Sequence, residues 1–237
     1  MSDWDKINYP ERVSLFPDFN QYWKDMNFKT IMFDLDGTLT DSMPGIEKCF
    51  KHALDTLNFD YTGIHEWRWI AGPPLKDSFS KLLAPEDVER AIALYRERFS
   101  SVGWMENSLY PGIAALLDRL QTKGKKLYIV SSKPEIFVRK IADYFNISKY
   151  FTAIHGAELH GGLQHKPELI AYALASHNLE KAYTVMIGDR KMDIEGAKAN
   201  NITSIGTAYG YGCYQELKNA GADAIVNSVD ELSVLLS

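Results

Sequence analysis

The sequence has 237 residues, 46% apolar and 24% charged, with a net charge of −5. That length suits one ordinary domain with a smaller insert, and the apolar share can build a core, which excludes a globally disordered chain. The mild acidity excludes the basic footprint of a nucleic-acid binder, and no apolar run approaches the ~18 residues of a membrane span.

Residues 1–28 are rich in aromatics and turn formers and read as an extension packed on the surface or partly helical. The opening Met1-Ser2-Asp3-Trp4-Asp5-Lys6 lacks the basic and apolar regions of a secretory leader. The two cysteines, Cys49 and Cys213, make no C-x-x-C pair and no disulfide framework. Both observations point to a reducing, cytoplasmic setting.

From residue 29 the pattern becomes regular. Thr30–Phe33 is a short apolar run that stops at Asp34-Leu35-Asp36-Gly37, so it reads as a buried strand ending in a turn. Residues 43–109 show no strand pattern. They hold helical periodicity over Ile46–Leu57, Leu75–Leu83 and Pro85–Phe99, and read as a helical insert. Short polar joints flank it, near Ser42-Met43-Pro44 and Ser108-Leu109-Tyr110.

Beyond the insert, apolar runs alternate with helical patterns. The runs are Leu127–Val130, Ala153–His155, Thr184–Ile187 and Ser204–Ile205. The helices are Pro111–Leu120, Pro134–Phe145, Pro167–Leu179 and Ile194–Asn200, the first three with proline at or near the first turn. This alternation predicts an α/β fold, a doubly wound parallel sheet covered on both faces. The expected organisation is an extension over 1–28, a core over 29–42 and 110–237, and a helical insert over 43–109.

The chemistry-bearing residues sit at strand ends or in adjacent loops. Asp34 and Asp36 close the first strand. Such a pair can bind Mg²⁺ through hard oxygen ligands, or one carboxylate can attack while the other moves protons. The plainer reading is a polar turn, since Asp and Gly are default turn residues. Ser131 and Ser132 follow the second strand, where a hydroxyl suits a phosphate oxygen or simply caps a helix. Lys166 precedes a helix and either balances an anion or lies solvated on the surface. Gly188-Asp189 ends a further strand, and Asp193 follows at a helix start, where capping is the plainer role. Parallel strands place their C-terminal ends on one edge, so the four sets can converge.

In this order, Asp34-Leu35-Asp36-Gly37-Thr38-Leu39-Thr40-Asp41-Ser42, Ser131, Lys166 and Gly188-Asp189 through Asp193 resemble the haloacid dehalogenase superfamily over residues 29–237. The insert then resembles a helical cap of the C1 type. Ile70-Ala71-Gly72-Pro73-Pro74-Leu75 and Tyr209-Gly210-Tyr211-Gly212 resemble the phosphoglycolate phosphatase-like and 5′-nucleotidase-like branch. The resemblance implies a Mg²⁺-dependent phosphatase of small phosphomonoesters, phosphoglycolate first and nucleoside monophosphates as the alternative. A phosphosugar mutase or a non-catalytic phosphate-binding module would share the core. The partner is a small phosphate ester, with no nucleic-acid polymer and no membrane, in a monomer or homodimer.

Residue by residue, the resemblance makes Asp34 the nucleophile and Asp36 the general acid and base. Lys166 orients Asp34. Mg²⁺ is held by Asp34, by Asp36 through its backbone carbonyl and by Asp189, with Asp193 behind the metal shell. Gly37, Thr38, Ser131 and Ser132 bind the phosphoryl group. A halide leaving group needs no proton, so the acid at Asp36 argues against dehalogenation.

Weaker candidates have plainer readings. The aromatics Trp67 and Trp69 read as core of the insert rather than substrate contacts. Tyr209-Gly210-Tyr211-Gly212 can line a cleft but lacks the third glycine of a dinucleotide fingerprint. His155, His160 and His165 match no zinc pattern. Arg96 and Arg98 read as a solvated face, from which one can reach a substrate carboxylate.

Overall fold

The computed structural model describes residues 26–158 and 162–236. The expected extension lies outside the described residues up to position 25, as does His160. Phe28, at its end, is buried in the main core.

Six parallel strands form the main sheet: β1 (Thr30–Phe33), β4 (Lys126–Pro134), β5 (Ala153–Ala157), β6 (Thr184–Gly188), β7 (Thr203–Thr207) and β8 (Ala224–Val226). Their order is β5-β4-β1-β6-β7-β8. All four residues of β1 are buried. Ile31 and Phe33 enter the core on one face with Leu127, Ile129, Val185 and Ile187. Met32 points to the other face with Tyr128, Val130 and Met186. A strand covered on both sides needs a continuous apolar run, which is why no polar alternation shows in its sequence.

The covering helices are α4 (Ile113–Thr122), α5 (Glu135–Tyr144), α6 (Lys166–Ser176), α7 (Lys191–Ala199), α8 (Tyr214–Ala220) and α9 (Val229–Leu235). In α4 the buried residues are Ile113, Leu116, Leu117 and Leu120, a stripe of helical period. β1 lies between β4 and β6, so the chain winds outward in both directions from it. Ligands of doubly wound sheets bind at that reversal, beyond the strand C-termini.

Between β1 and α4 the chain builds α1 (Met43–Thr56), α2 (Leu75–Phe79) and α3 (Pro85–Ser101). They have their own apolar cluster, with Ile46, Cys49, Phe50, Ala53 and Leu54 on one face of α1. Phe50 stacks on Phe79 at 4.0 Å between ring centroids. Trp67 is buried in this cluster.

The segment expected to hold no strand does carry one at its edge. β2 (Thr40–Asp41) and β3 (Ser108–Leu109) pair antiparallel, tying together the two points where the chain crosses between core and insert. Two residues are too few to show a period. Three further differences have similar causes. β4 continues past Val130 through an irregularity between Ser131 and Pro134, so Ser131 is strand, not a helix cap. α2 stops at Phe79, short of Leu83. β8, α8 and α9 carry no periodic signal beyond one or two turns.

Candidate active site

Asp34 leaves β1 with its carboxylate plane fixed. Its Oδ1 accepts from the Leu35 N–H at 2.8 Å and lies 3.0 Å from Lys166 Nζ. Lys166 opens α6 and is only 3% exposed. Its ammonium donates to the Val130 carbonyl at 2.9 Å and pairs with Asp193 Oδ1 at 2.7 Å. Burial opposes its charge, but Asp193 and Asp34 outweigh burial and hold its pKa above the ordinary value. The solvated-lysine reading is thereby excluded.

Asp189 follows β6 and is fully buried. It accepts from the Tyr211 N–H at 2.8 Å and from Thr38 Oγ1 at 3.4 Å. Burial, then Asp193 and Asp34, push its pKa well up. Asp193, in the first turn of α7, accepts from the Arg190 N–H at 3.1 Å, so it caps the helix and holds Lys166 at once. Burial pushes it up to about 6, against the pull of Lys166. Oxygens of Asp34, Asp189 and Asp193 lie within 4.8 Å of one another. The Asp36 carboxylate is not in this trio; the ligand atom implied for Asp36 is its backbone carbonyl. Asp193, expected to support the metal shell through water or Lys166, pairs with Lys166, and a carboxylate oxygen of it also lies within the cluster.

Asp36 is tied instead to Lys133, with Nζ 2.5 Å from Oδ2. Lys133 follows directly on Ser132, yet nothing in its sequence context distinguished it from a surface lysine. Ser131 and Ser132 line the same cavity as Asp34 and Asp36. Gly37 and Thr38 do not. The Gly37 N–H donates to the Thr40 carbonyl and the Thr38 N–H to Leu35, so neither is directed at a phosphate. Both support Asp189: Thr38 by its hydroxyl, Gly37 by having no Cβ where the Asp189 carboxylate packs.

The cavity has a volume of about 320 Å³. Its floor is the charged cluster. Its roof comes from the insert, with Ile46, Ile70, Pro73, Ile92, Tyr95 and Phe99. Arg96 also lines it and has no ion-pair partner among the described residues. Two contacts join roof to floor. Arg190, held by Glu216 at 2.9 Å, donates to the Ala71 carbonyl. The Tyr211 hydroxyl accepts from the Ser42 N–H at 2.7 Å and the Met43 N–H at 2.9 Å, where α1 begins. Tyr211 was legible only as part of a glycine-rich loop, and Arg190 only as a residue between two acids.

The remaining candidates lie elsewhere. His155 meets His177 at 3.0 Å between Nε2 atoms, and His165 precedes α6. Arg98 is engaged by Glu106 at 2.7 Å and by the Cys49 thiol, and it does not line this cavity. Cys213 caps α8. Among the described residues, no helix is long and apolar enough to cross a membrane.

A family model described as haloacid dehalogenase-like hydrolase matches residues 31–207. The chain belongs to this family. It is 40% identical over 195 residues to a 5′-nucleotidase of Pseudomonas aeruginosa, covering 81% of this chain and 88% of that one. It is 36% identical to the tyrosine-protein kinase PtkA of Mycobacterium tuberculosis (85% and 70% covered). A phosphoglycolate phosphatase of Colwellia psychrerythraea is 30% identical (88% and 96%). The crystal structure of a predicted phosphatase from Clostridium acetobutylicum superposes with a TM-score of 0.83 at 44% identity, covering 87% of this chain and 96% of that one. The resemblance drawn from the motifs and the doubly wound fold both hold.

Proposed function

We propose that the chain hydrolyses small phosphomonoesters through a phosphorylated Asp34, with a divalent cation in the acidic cluster. It is an enzyme of the phosphoric monoester hydrolase class. One observation carries the metal reading. Four carboxylates, Asp34, Asp36, Asp189 and Asp193, meet two ammonium groups, Lys133 and Lys166, in a largely buried space. With all four ionised, two negative charges would be left uncompensated, and uncompensated buried charge is costly, which is why burial pushes Asp189 and Asp193 up when no cation is bound. An all-oxygen donor set suits Mg²⁺, so the residues fit. Asp34, Asp189 and Asp193 would hold the ion, with the Asp36 carbonyl a further ligand from the family pattern. Once bound, it would neutralise phosphoryl charge and orient the ester.

The protein groups divide the chemistry. Asp34 attacks phosphorus, and the bond to the leaving oxygen breaks. Asp36 gives that oxygen a proton. Asp36 then takes a proton from water as the water attacks the aspartyl-phosphate, releasing phosphate and restoring Asp34. Lys166 holds the nucleophile, and Ser131 and Ser132 bind the phosphoryl oxygens. Positioning and electrostatics supply most of the catalysis in such transfers.

For the leaving group, the roof favours the nucleotide reading over phosphoglycolate. Ile70, Pro73, Ile92, Tyr95 and Phe99 offer apolar and aromatic surface to a nucleoside, and the P. aeruginosa relative named 5′-nucleotidase supports this. Arg96 and the C. psychrerythraea relative support a small phosphorylated acid.

Phosphate release from p-nitrophenyl phosphate, phosphoglycolate, nucleoside monophosphates and hexose phosphates tests the reading. With Mg²⁺ we expect turnover that chelator abolishes and that Asp34→Asn lowers by at least about 10³-fold. A folded wild-type protein inactive on every ester, or an Asp34→Asn variant as fast as wild type, overturns it.

A further inference from the structure

Outside the acidic cluster, two histidines meet where α6 packs on β4 and β5. His155 is a residue of β5 and is 9% exposed. His177 caps the C-terminal end of α6 and is half-buried. Their Nε2 atoms face each other at 3.0 Å. The ring centroids are 5.1 Å apart and the ring planes are inclined by 53°. A tyrosine fixes each ring. Tyr172 of α6 stands edge-on to His155 at 5.4 Å, and Tyr128 of β4 packs on His177 at 5.0 Å. Side chains of β4, β5 and α6 thus hold both nitrogens toward one spot.

A hydrogen bond between two neutral imidazoles requires different tautomers, one ring protonated at Nε2 and the other at Nδ1. The same placement suits two neighbouring ligands of one ion. Metal–nitrogen bonds of about 2.0–2.1 Å set two nitrogens about 3.3 Å apart around a tetrahedral ion and about 2.9 Å apart around a square-planar one. The observed separation falls within that range. The charge state fits as well. The charged groups that act on His155 are Glu135 and Arg139 of α5, and they are paired with each other at 2.8 Å. Burial and His177 both oppose a positive ring at His155. The neutral imidazole that results is the form that binds a metal. The exposed side of His177 gives an ion its way in.

We propose that His155 and His177 form a second cation site, for a borderline divalent ion such as Zn²⁺, Cu²⁺ or Ni²⁺, with water completing its shell. Its chemistry differs from that of the acidic cluster, whose carboxylate donors suit a hard ion. On binding, the proton at one Nε2 moves to Nδ1 of the same ring, and both Nε2 lone pairs turn to the ion. The ion then clips the end of α6 to β5. The same helix begins at Lys166, whose ammonium holds Asp34, so the clip braces the far end of that support. The site does not depend on the phosphatase reading.

Zinc added to the full chain, with Mg²⁺ in excess, is followed by equilibrium dialysis and by thermal unfolding. Wild type should bind one Zn²⁺ more than His177→Gln or His155→Gln. Its midpoint should also rise by at least about 2 °C more than theirs, the shift that firm occupancy of one site gives a chain of this size. Cu²⁺ in place of zinc should show electron-spin-resonance splitting from two nitrogens in wild type and lose it in either variant. Equal zinc counts in wild type and His177→Gln overturn the site and leave the pair a hydrogen bond alone. An extra zinc without the extra rise in midpoint overturns the brace. If His155→Gln fails to fold, His177→Gln, the more exposed of the two, decides alone.

Discussion

Lys166 occupies a place where a lysine is tolerated only because three oxygens surround its ammonium. It holds Asp34 and Asp193 apart as charges and together as atoms. Lys166→Met should therefore cost about 3–5 kcal/mol, since removing one partner leaves buried carboxylates unbalanced. Urea unfolding of the metal-free protein measures this, and phosphate release should be lost in parallel. A wild-type midpoint would show that the ammonium is not needed in the buried cluster. The sequence made Lys166 visible as a lysine before a proline and a helix, in the right order among acids. It could not show burial, because that depends on α6 crossing the end of β4. Asp193 is similar: its helix-start position was readable, its second partner was not. Lys133 lay unread between Ser132 and Pro134, because its partners are 97 residues away in Asp36 and on a helix of the insert.

Two elements carry constraints of their own. The loop after β7 brings Gly210 against the core so closely that a Cβ there would collide with the Gly37 carbonyl oxygen and with Asp189. Gly210→Ala should push this loop outward, strip the Tyr211 N–H from Asp189, and lower both turnover and the thermal midpoint. Unchanged values in both assays would contradict the packing. The glycine-rich signature was legible as a place of close backbone approach, though not what it approached.

At the sheet edge, His155 of β5 and His177 after α6 face each other through Nε2, and only one of the two nitrogens can carry the shared proton. Burial, then His177, lowers the His155 pKa below the ordinary histidine value of about 6.5. As pH falls through about 6.5 the unfolded chain takes up a proton that the folded chain resists. Stability should fall from pH 7.5 toward pH 5.5, and the loss should level off below the folded pKa. Urea midpoints across that range check it, with His155→Gln expected to flatten this contribution. A slope identical in wild type and variant would remove the histidine pair as its source. The histidines were readable only as matching no metal pattern, since strand β5 and the end of α6 meet by tertiary packing alone.

At the scale of the whole molecule, the alternation of apolar runs and helical stripes was enough to predict a parallel sheet, and the motif order was enough to predict convergence. What it could not supply was the lateral order of strands, which decides that the ends of β4, β1 and β6 are neighbours. Nor did it reveal the ribbon of β2 and β3. There Asp41 lies opposite Ser108, so the chain departs from the core and returns to it at adjacent points. An insertion with such closely spaced ends is interchangeable. A different stretch can be spliced between Asp41 and Ser108 without interrupting a strand of the six-stranded sheet or removing any of the four aspartates or two lysines, all of which lie outside the insert. Recombination at this one seam changes which molecules are admitted without revising how they are cut, so selectivity here can diversify by grafting rather than by slow adjustment of the catalytic floor.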